Sequence, residues 1–299
     1  MRKNNMTIQQ LFEEGIKVLE EGNIQNPMLD TQLLLSYALD VDKVYIYTHR
    51  DRIIEGETVD NFLSLLNKRK TGYPLQYILG DQEFMGLNFK VGEGVLVPRP
   101  DTETLVEWII EVVKSKEKFN KNTINILDIG TGSGAITLSL AYYLENARIY
   151  SVDISEKAHK IAKVNTKKLG LESRVTLLKG NLFEPIKELN KDIKFDIIVS
   201  NPPYIPSDDI DTLQKEVSKY EPRLALDGGA DGLDFYRKII LGSPEYLKNK
   251  GVLGFEIGYN QGSDLKRLLE EIEGFNNIRI RKDLAGKERA VIANWEKSN

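Results

Sequence analysis

Asn201-Pro202-Pro203-Tyr204 follows directly on the apolar run Phe195-Asp196-Ile197-Ile198-Val199-Ser200. The run is short, β-branched and bounded, which predicts a buried strand, and the two prolines forbid its continuation. An Asn side chain is thereby held at the carboxyl end of a strand, beside a rigid turn and an aromatic ring. Such a set is suited to holding a planar NH2 group so that its nitrogen can be alkylated. The lone pair of an amide or aryl-amine nitrogen is tied up in conjugation, so such a nitrogen is a poor nucleophile and has to be positioned. The Asn201 carboxamide oxygen and the Pro202 carbonyl can both accept its N–H groups. Tyr204 can cover the flat face of whatever carries it, with Pro203 completing the turn. The plainer alternative is a Pro-Pro turn that merely ends a strand.

A second constellation lies upstream. Asp128-Ile129-Gly130-Thr131-Gly132-Ser133-Gly134-Ala135 follows another strand-like run and opens a helical one. Glycines there let the backbone turn sharply and let a ligand sit against bare amides at a helix N-terminus. The spacing satisfies a relaxed dinucleotide fingerprint through Gly130, Gly132 and Ala135, with acidic Asp153 about 20 residues on. The loop alone does not separate NAD from S-adenosylmethionine. Asp153 ends the strand-like run Arg148 to Val152, where a carboxylate can accept both ribose hydroxyls, or can cap the helix that begins near Ser155. Asn181 and Leu182 follow a third strand and can flank an adenine, one polar and one apolar. A clamp for an NH2 group next to such a loop favours a methyl donor over a hydride carrier.

The elements that must carry these residues follow from periodicity. In the first third, Thr7 caps a predicted helix from Ile8 to Glu21, and further helices fit Met28 to Leu39 and Val59 to Lys70, a small bundle. Between Tyr73 and Pro100 the pattern turns to short β-like pieces, Leu75 to Leu79, Glu83 to Met85, Leu87 to Val91 and Val95 to Val97, punctuated by glycines. Asp101 is then expected to cap a helix running to about Lys116, and Lys114 to Asn122 reads as a charged, solvated loop. Strand-like runs at Ile124–Ile129, Arg148–Val152, Val175–Lys179, Phe195–Ser200 and Val252–Ile257 alternate with helical stretches at Ala135–Leu144, Glu156–Leu169 and Asp234–Leu247. Alternation at this spacing predicts an α/β doubly wound parallel sheet. Asn277–Arg281 and Arg289–Asn294, separated by a short turn around Gly286, close it with an antiparallel hairpin. The expected organisation is a helical domain over residues 1–72, a β-hairpin connector over 73–100 and the α/β domain over 101–299.

Bulk composition narrows the chemistry. With 299 residues, 41% hydrophobic and 29% charged, the chain can bury a sizeable core. It has no cysteine, so disulfides, thiolate metal sites and cysteine nucleophiles are excluded; His49 and His159 are too few and too isolated for a metal cluster, and none is expected. A formal charge of −4 argues against binding through many phosphates, so no direct nucleic-acid partner is expected. No signal peptide or membrane span is expected, and the cytoplasm is the default location. The basic residues Arg50, Arg52, Lys68, Arg69 and Lys70 offer either a docking face or a solvated one.

The residues also resemble a family, the HemK/PrmC protein-glutamine N5-methyltransferases. The likeness spans nearly the whole chain: Glu83-Phe84-Met85-Gly86, Val95 through Glu103, the Gly130–Gly134 loop, Asp153, Asn201 through Ile205, Glu221-Pro222, Asp231-Gly232-Leu233-Asp234 and Glu256-Ile257-Gly258. The resemblance implies a Rossmann-like class I methyltransferase fold with S-adenosyl-L-methionine as donor and S-adenosyl-L-homocysteine as product. It implies a cofactor site at Gly130, Thr131, Gly132, Ser133, Gly134, Asp153, Asn181, Leu182 and Asn201. Asn201, Pro202, Pro203 and Tyr204 would hold the substrate glutamine, Asn201, Pro202 and Tyr204 acting in catalysis. The implied partner is a class 1 peptide chain release factor bearing a Gly-Gly-Gln motif, docked with help from the N-terminal helices onto a monomeric enzyme. Met85 stands where the family often has tryptophan, and Leu182 where many members put an aromatic beside adenine. An apolar contact survives at both. Three other readings are a nucleic-acid adenine N6-methyltransferase, which would present an NH2 group to the same clamp, a non-catalytic module that keeps the cofactor fold, and a NAD-dependent oxidoreductase.

Overall fold

Thr7 starts the first helix through a reciprocal cap. Its hydroxyl accepts the Gln10 N–H at 3.2 Å while the Gln10 side chain accepts the Thr7 N–H at 2.9 Å, opening helix Ile8–Glu21. The structure is a computed structural model that describes residues 5–120, 122–189 and 192–297. It divides into two compact units, one of Met1–Gly80 with Gln214–Tyr220 and one of Asp81–Leu213 with Glu221–Asn299.

In the first unit, helices Ile8–Glu21, Pro27–Leu39 and Gly56–Lys70 bury Leu11, Leu19, Leu34, Leu35, Phe62 and Leu66 against one another. A further helix, Lys43–Thr48, is too short to show in the periodicity; it is one turn and a half long and starts on the Asp42 side chain. Leu75–Leu79 is a helix and not the expected strand. Five residues, with Gln76 the single polar one, do not distinguish the two periods, and the boundaries decide: Pro74 precedes it with φ −55°, and Gly80 ends it at φ 77°. The segment Gln214–Tyr220 belongs to this unit through Arg69. That guanidinium is buried and donates to Asp30 Oδ2 at 2.7 Å, Glu216 Oε1 at 2.5 Å and the Tyr73 carbonyl at 3.1 Å. Arg69 is therefore not part of a basic docking face.

In the second unit, a hairpin of Asp81–Phe84 and Leu87–Lys90 turns at Met85 and Gly86, both at positive φ. Val95 to Val97 forms no strand; its valines are buried in an irregular passage. Helix Pro100–Ser115 has Pro100 in its first turn and Arg99 at its cap position, so Asp101 sits inside the first turn instead of capping it. A short helix, Glu117–Asn120, interrupts the expected solvated loop because Phe119 buries its ring; Lys121 of that loop, like the lead-in residues 1–4, lies outside the described residues.

The sheet has seven strands: β1 Ile124–Ile129, β2 Ala147–Asp153, β3 Val175–Lys179, β4 Phe195–Ser200, β5 Leu247–Glu256, β6 Phe275–Lys282 and β7 Glu288–Trp295. Their order is β6-β7-β5-β4-β1-β2-β3, with β7 antiparallel to both its neighbours. Helices cover both faces, so the central strands read as continuous apolar runs. In β1, Ile124 and Ile126 enter one core and Leu127 and Ile129 the other. Helices Glu184–Leu189 and Gly262–Glu270, which are not among the expected elements, add to these layers; the second does carry a helical period, in Leu265, Leu268, Leu269 and Ile272. The register carries the functional consequence. Ile129 pairs with Val152 on one side and Ser200 on the other, so Gly130, Asp153 and Asn201 leave the carboxyl edge side by side. Among the described residues no helix is long and apolar enough to cross a membrane.

Candidate active site

That edge opens into a cleft formed entirely within the second unit. Its floor is the glycine loop. Gly130, Gly132 and Gly134 all take positive φ, which only glycine adopts without strain. A Cβ on Gly130 would stand 3.6 Å from the Asn201 carbonyl oxygen, so the loop and the proline motif abut. A Cβ on Gly132 would meet nothing within 4 Å, leaving its backbone bare toward open space.

Asp153 forms one wall. Its Oδ2 accepts the Gly132 N–H and its Oδ1 the Ser155 N–H, both at 2.8 Å. The helix cap is supplied by Ser155, whose hydroxyl accepts from Ala158 at 3.3 Å, so the carboxylate braces the loop and does not start the helix. Burial raises Asp153 above the ordinary carboxylate range, and the two N–H groups pull the other way. Each of its oxygens keeps a lone pair for a further donor.

Beneath the loop lies a hydroxyl network. Thr137 Oγ1 stands 2.5 Å from Asp128 Oδ2 and 2.7 Å from Ser151 Oγ, and Thr131 Oγ1 stands 2.7 Å from Ser151 Oγ. Asp128 is fully buried and its carboxyl is pushed up to about 7 by that burial, with Thr137 opposing and the charge of Asp153 adding. Its Oδ1 has no hydrogen-bond partner. The expected bare amides are not found, since the N–H groups of Gly130, Thr131, Gly132 and Gly134 are all bonded within the protein; the close approach that Gly132 allows and the two-lobed carboxylate at the wall are what fit a polar ribose-bearing donor. Leu182, Ile154 and Ala158 supply an apolar lining.

The acceptor side is built from β4. Ser200 Oγ donates to the Ile129 carbonyl at 2.5 Å, tying the two strand ends together. Asn201 Nδ2 reaches Thr102 Oγ1 at 3.4 Å, which leaves Oδ1 as the free end of the carboxamide. Arg99 lines the cleft and is held by Glu221, with both carboxylate oxygens 2.7 Å from one guanidinium nitrogen.

Of the residues singled out in the sequence, Gly130, Thr131, Gly132, Ser133, Asp153, Asn181, Leu182, Asn201, Pro202 and Pro203 all line this cleft. Two do not. Gly134 lies behind the loop as the cap of helix Ala135–Tyr143, where a Cβ would meet Leu138 at 3.0 Å. Tyr204 departs from the expected place over the acceptor. Its ring packs on the core beneath β4 and its hydroxyl donates to Glu256 Oε1 at 3.2 Å. Burial and the Glu256 charge raise that phenol well above its ordinary value. Leu182 adopts φ 49°, an uncommon conformation for a leucine. Thr102, Arg99 and Glu256 do not stand out as site residues in the sequence; a charged Glu256 closing an apolar strand, as Asp153 does, is the available signal.

Comparison with known proteins fits this geometry. Residues 10–80 match the PrmC N-terminal domain and residues 120–256 a methyltransferase domain. A release factor glutamine methyltransferase from Clostridium acetobutylicum is 42% identical over 288 residues, 96% of this chain and 98% of its own length. One from Clostridium botulinum is 44% identical over 289 residues, 96% of this chain and 99% of its own. Among solved structures, human methyltransferase 10 domain containing protein superposes with a TM-score of 0.53 at 16% identity, covering 72% of this chain and 90% of that one, a likeness of fold alone.

Proposed function

The chain belongs to the release factor glutamine methyltransferases and is a methyltransferase, and from that premise we propose that it methylates N5 of the Gly-Gly-Gln glutamine of class 1 peptide chain release factors, with S-adenosyl-L-methionine as donor. The product is S-adenosyl-L-homocysteine, and the modification supports translation termination. What supports the reading is that Asn201 and Pro202 line the same cleft as Gly130, Gly132 and Asp153.

Bound against the glycine loop, the donor supplies a methyl group on a sulfonium, a carbon activated by the adjacent positive charge. Asp153 would accept the ribose hydroxyls, and Asn181 and Leu182 would flank the adenine. Asn201 Oδ1 and the Pro202 carbonyl accept the two N–H bonds of the glutamine amide and turn its nitrogen toward the methyl carbon. Transfer would form the N–C bond as the donor's C–S bond breaks, and the amide proton would leave to solvent afterwards. Positioning and fixed dipoles supply several kcal/mol of such a barrier, so no strong base is required. The helices of residues 1–72 help to dock the release factor, and the enzyme acts as a cytoplasmic monomer. The deciding experiment is mass spectrometry of a purified release factor after incubation with enzyme and donor. One added methyl group on the Gly-Gly-Gln glutamine is the expected result; an unmodified factor, with nucleic acid methylated in a parallel reaction, overturns the assignment.

A further inference from the structure

Clamping an NH2 group with Asn201 works in only one of two orientations of the carboxamide. If the side chain were flipped, its own NH2 would face the N–H donors of the acceptor and repel them. Something must hold Nδ2 away from the cleft, and Thr102 Oγ1, 3.4 Å from Nδ2, is the group that receives it. A hydroxyl can also donate, so Thr102 selects this orientation only if its own proton is committed elsewhere.

Glu256 stands ready to take it. Its carboxyl is buried beside the Thr102 hydroxyl, which acts to keep it ionised, and it accepts the Tyr204 hydroxyl on Oε1 while Oε2 has no hydrogen-bond partner. Its backbone carbonyl is fixed by the Tyr236 hydroxyl at 2.8 Å. We propose that Glu256 and Thr102 form a positioning relay behind the clamp, which turns the Asn201 oxygen toward the acceptor amide and seats Tyr204 beneath the motif. The inference deepens the methyl-transfer reading above and rests on it.

The charges around the relay come from every neighbouring element. Arg289 on β7 attracts Glu256 while held by Asp101 at 3.0 Å and Asp283 at 3.3 Å; Asp101 on helix Pro100–Ser115 opposes it, Tyr204 donates to it, and Tyr236 faces it from helix Asp234–Gly242. Burial dominates and pushes the Glu256 carboxyl up to about 7. Ionised, it only accepts, and in the relay the orphaned Oε2 is the acceptor for the Thr102 hydroxyl. Protonated, it can donate to Thr102, whose own proton then competes with Asn201 Nδ2. Turnover should therefore rise as pH climbs through about 7.

The test compares wild type, T102V, T102S and E256Q, using a purified release factor and labelled S-adenosylmethionine across pH 6–9. In T102V, kcat should fall roughly 10- to 100-fold, with donor Kd unchanged by calorimetry. T102S, which restores the hydroxyl, should recover most of that loss. The inflection near neutral pH should be present in wild type and absent in E256Q. T102V with wild-type kcat overturns the relay. So does a wild-type profile without the inflection, or the same inflection in E256Q, which keeps the test decisive if the valine variant fails to fold. An inactive wild type instead overturns the methyl-transfer reading. In that case the relay is read without any acceptor, from the Asn201 side-chain NH2 resonances, which must shift in T102V and stay in place in T102S; resonances unmoved in T102V refute it.

Discussion

Replacing Asp153 by alanine removes a carboxylate that does two things at once. It accepts the Gly132 and Ser155 N–H groups at 2.8 Å each, and it presents its outer lone pairs to the cleft. Hydrogen bonds to a charged group contribute about 1.5–3 kcal/mol each. Losing two from ribose hydroxyls, about 3 kcal/mol at the lower end, corresponds to roughly a 100-fold weaker donor, since about 1.4 kcal/mol is tenfold. The helix Glu156–Lys168 should survive, because Ser155 caps it independently. The unliganded protein should lose a little stability as Gly132 loses its brace, and melting without ligand separates that effect from binding. Calorimetric titration with S-adenosylmethionine and with S-adenosylhomocysteine reads the affinity directly. Because burial raises the Asp153 carboxyl, wild-type binding should also weaken as pH falls through that raised value, and D153A should lack this dependence. A Kd within twofold of wild type, with a lowered melting temperature, would refute the reasoning and leave Asp153 as a brace for the loop alone.

Asn201→Ala should keep donor affinity while losing at least roughly 100-fold in methyl transfer, as expected for removing an interaction that matters in the transition state; full turnover in a release-factor assay removes the clamp from the account. Asp128 is raised from 3.8 to about 7, so the folded protein holds that proton more tightly than the unfolded chain does. Its contribution is fully present below pH 3.8 and is lost as pH rises through about 7. About 3 kcal/mol of this loss falls between roughly pH 5 and 8, so D128N should gain in melting temperature relative to wild type across that range, and parallel curves would count against the buried carboxyl. Arg69→Met strands the buried Asp30 carboxylate, whose side chain is 8% exposed, and should cost about 3 kcal/mol or more in a denaturant titration. Adding Asp30→Leu should restore most of it; a double variant no better than the single one contradicts the pairing.

Much of the architecture was legible because its signals are local. The strand that ends at Ser200 is bounded by Pro202 and Pro203, and the Gly130–Gly134 turn announces itself through residues that alone tolerate its backbone. The terminal hairpin follows from two strand-like runs, the first of them alternating, separated by a short turn at Gly286. Structure and expectation part where a local signal is ambiguous or absent. The five residues Leu75–Leu79 fit either period, and a lone Arg69 reads as surface until Asp30, thirty-nine positions away, is brought against it.

The amino-acid sequence by itself supplied the proposed chemistry: an expectation that Asn201 and Pro202 hold a conjugated nitrogen and that the glycine loop and Asp153 hold an adenosine-type donor. Those choices rest on residue type and on how strands end, and both are written within a few consecutive positions. Only the tertiary structure decided that the two share one cleft, because the pairing of Ile129 with both Val152 and Ser200 sets three distant strand ends side by side. It also decided what stands behind the clamp. Thr102 lies 99 positions from Asn201, and Glu256 lies 52 from Tyr204. No periodicity spans such separations; only burial and hydrogen-bond geometry bring these groups together.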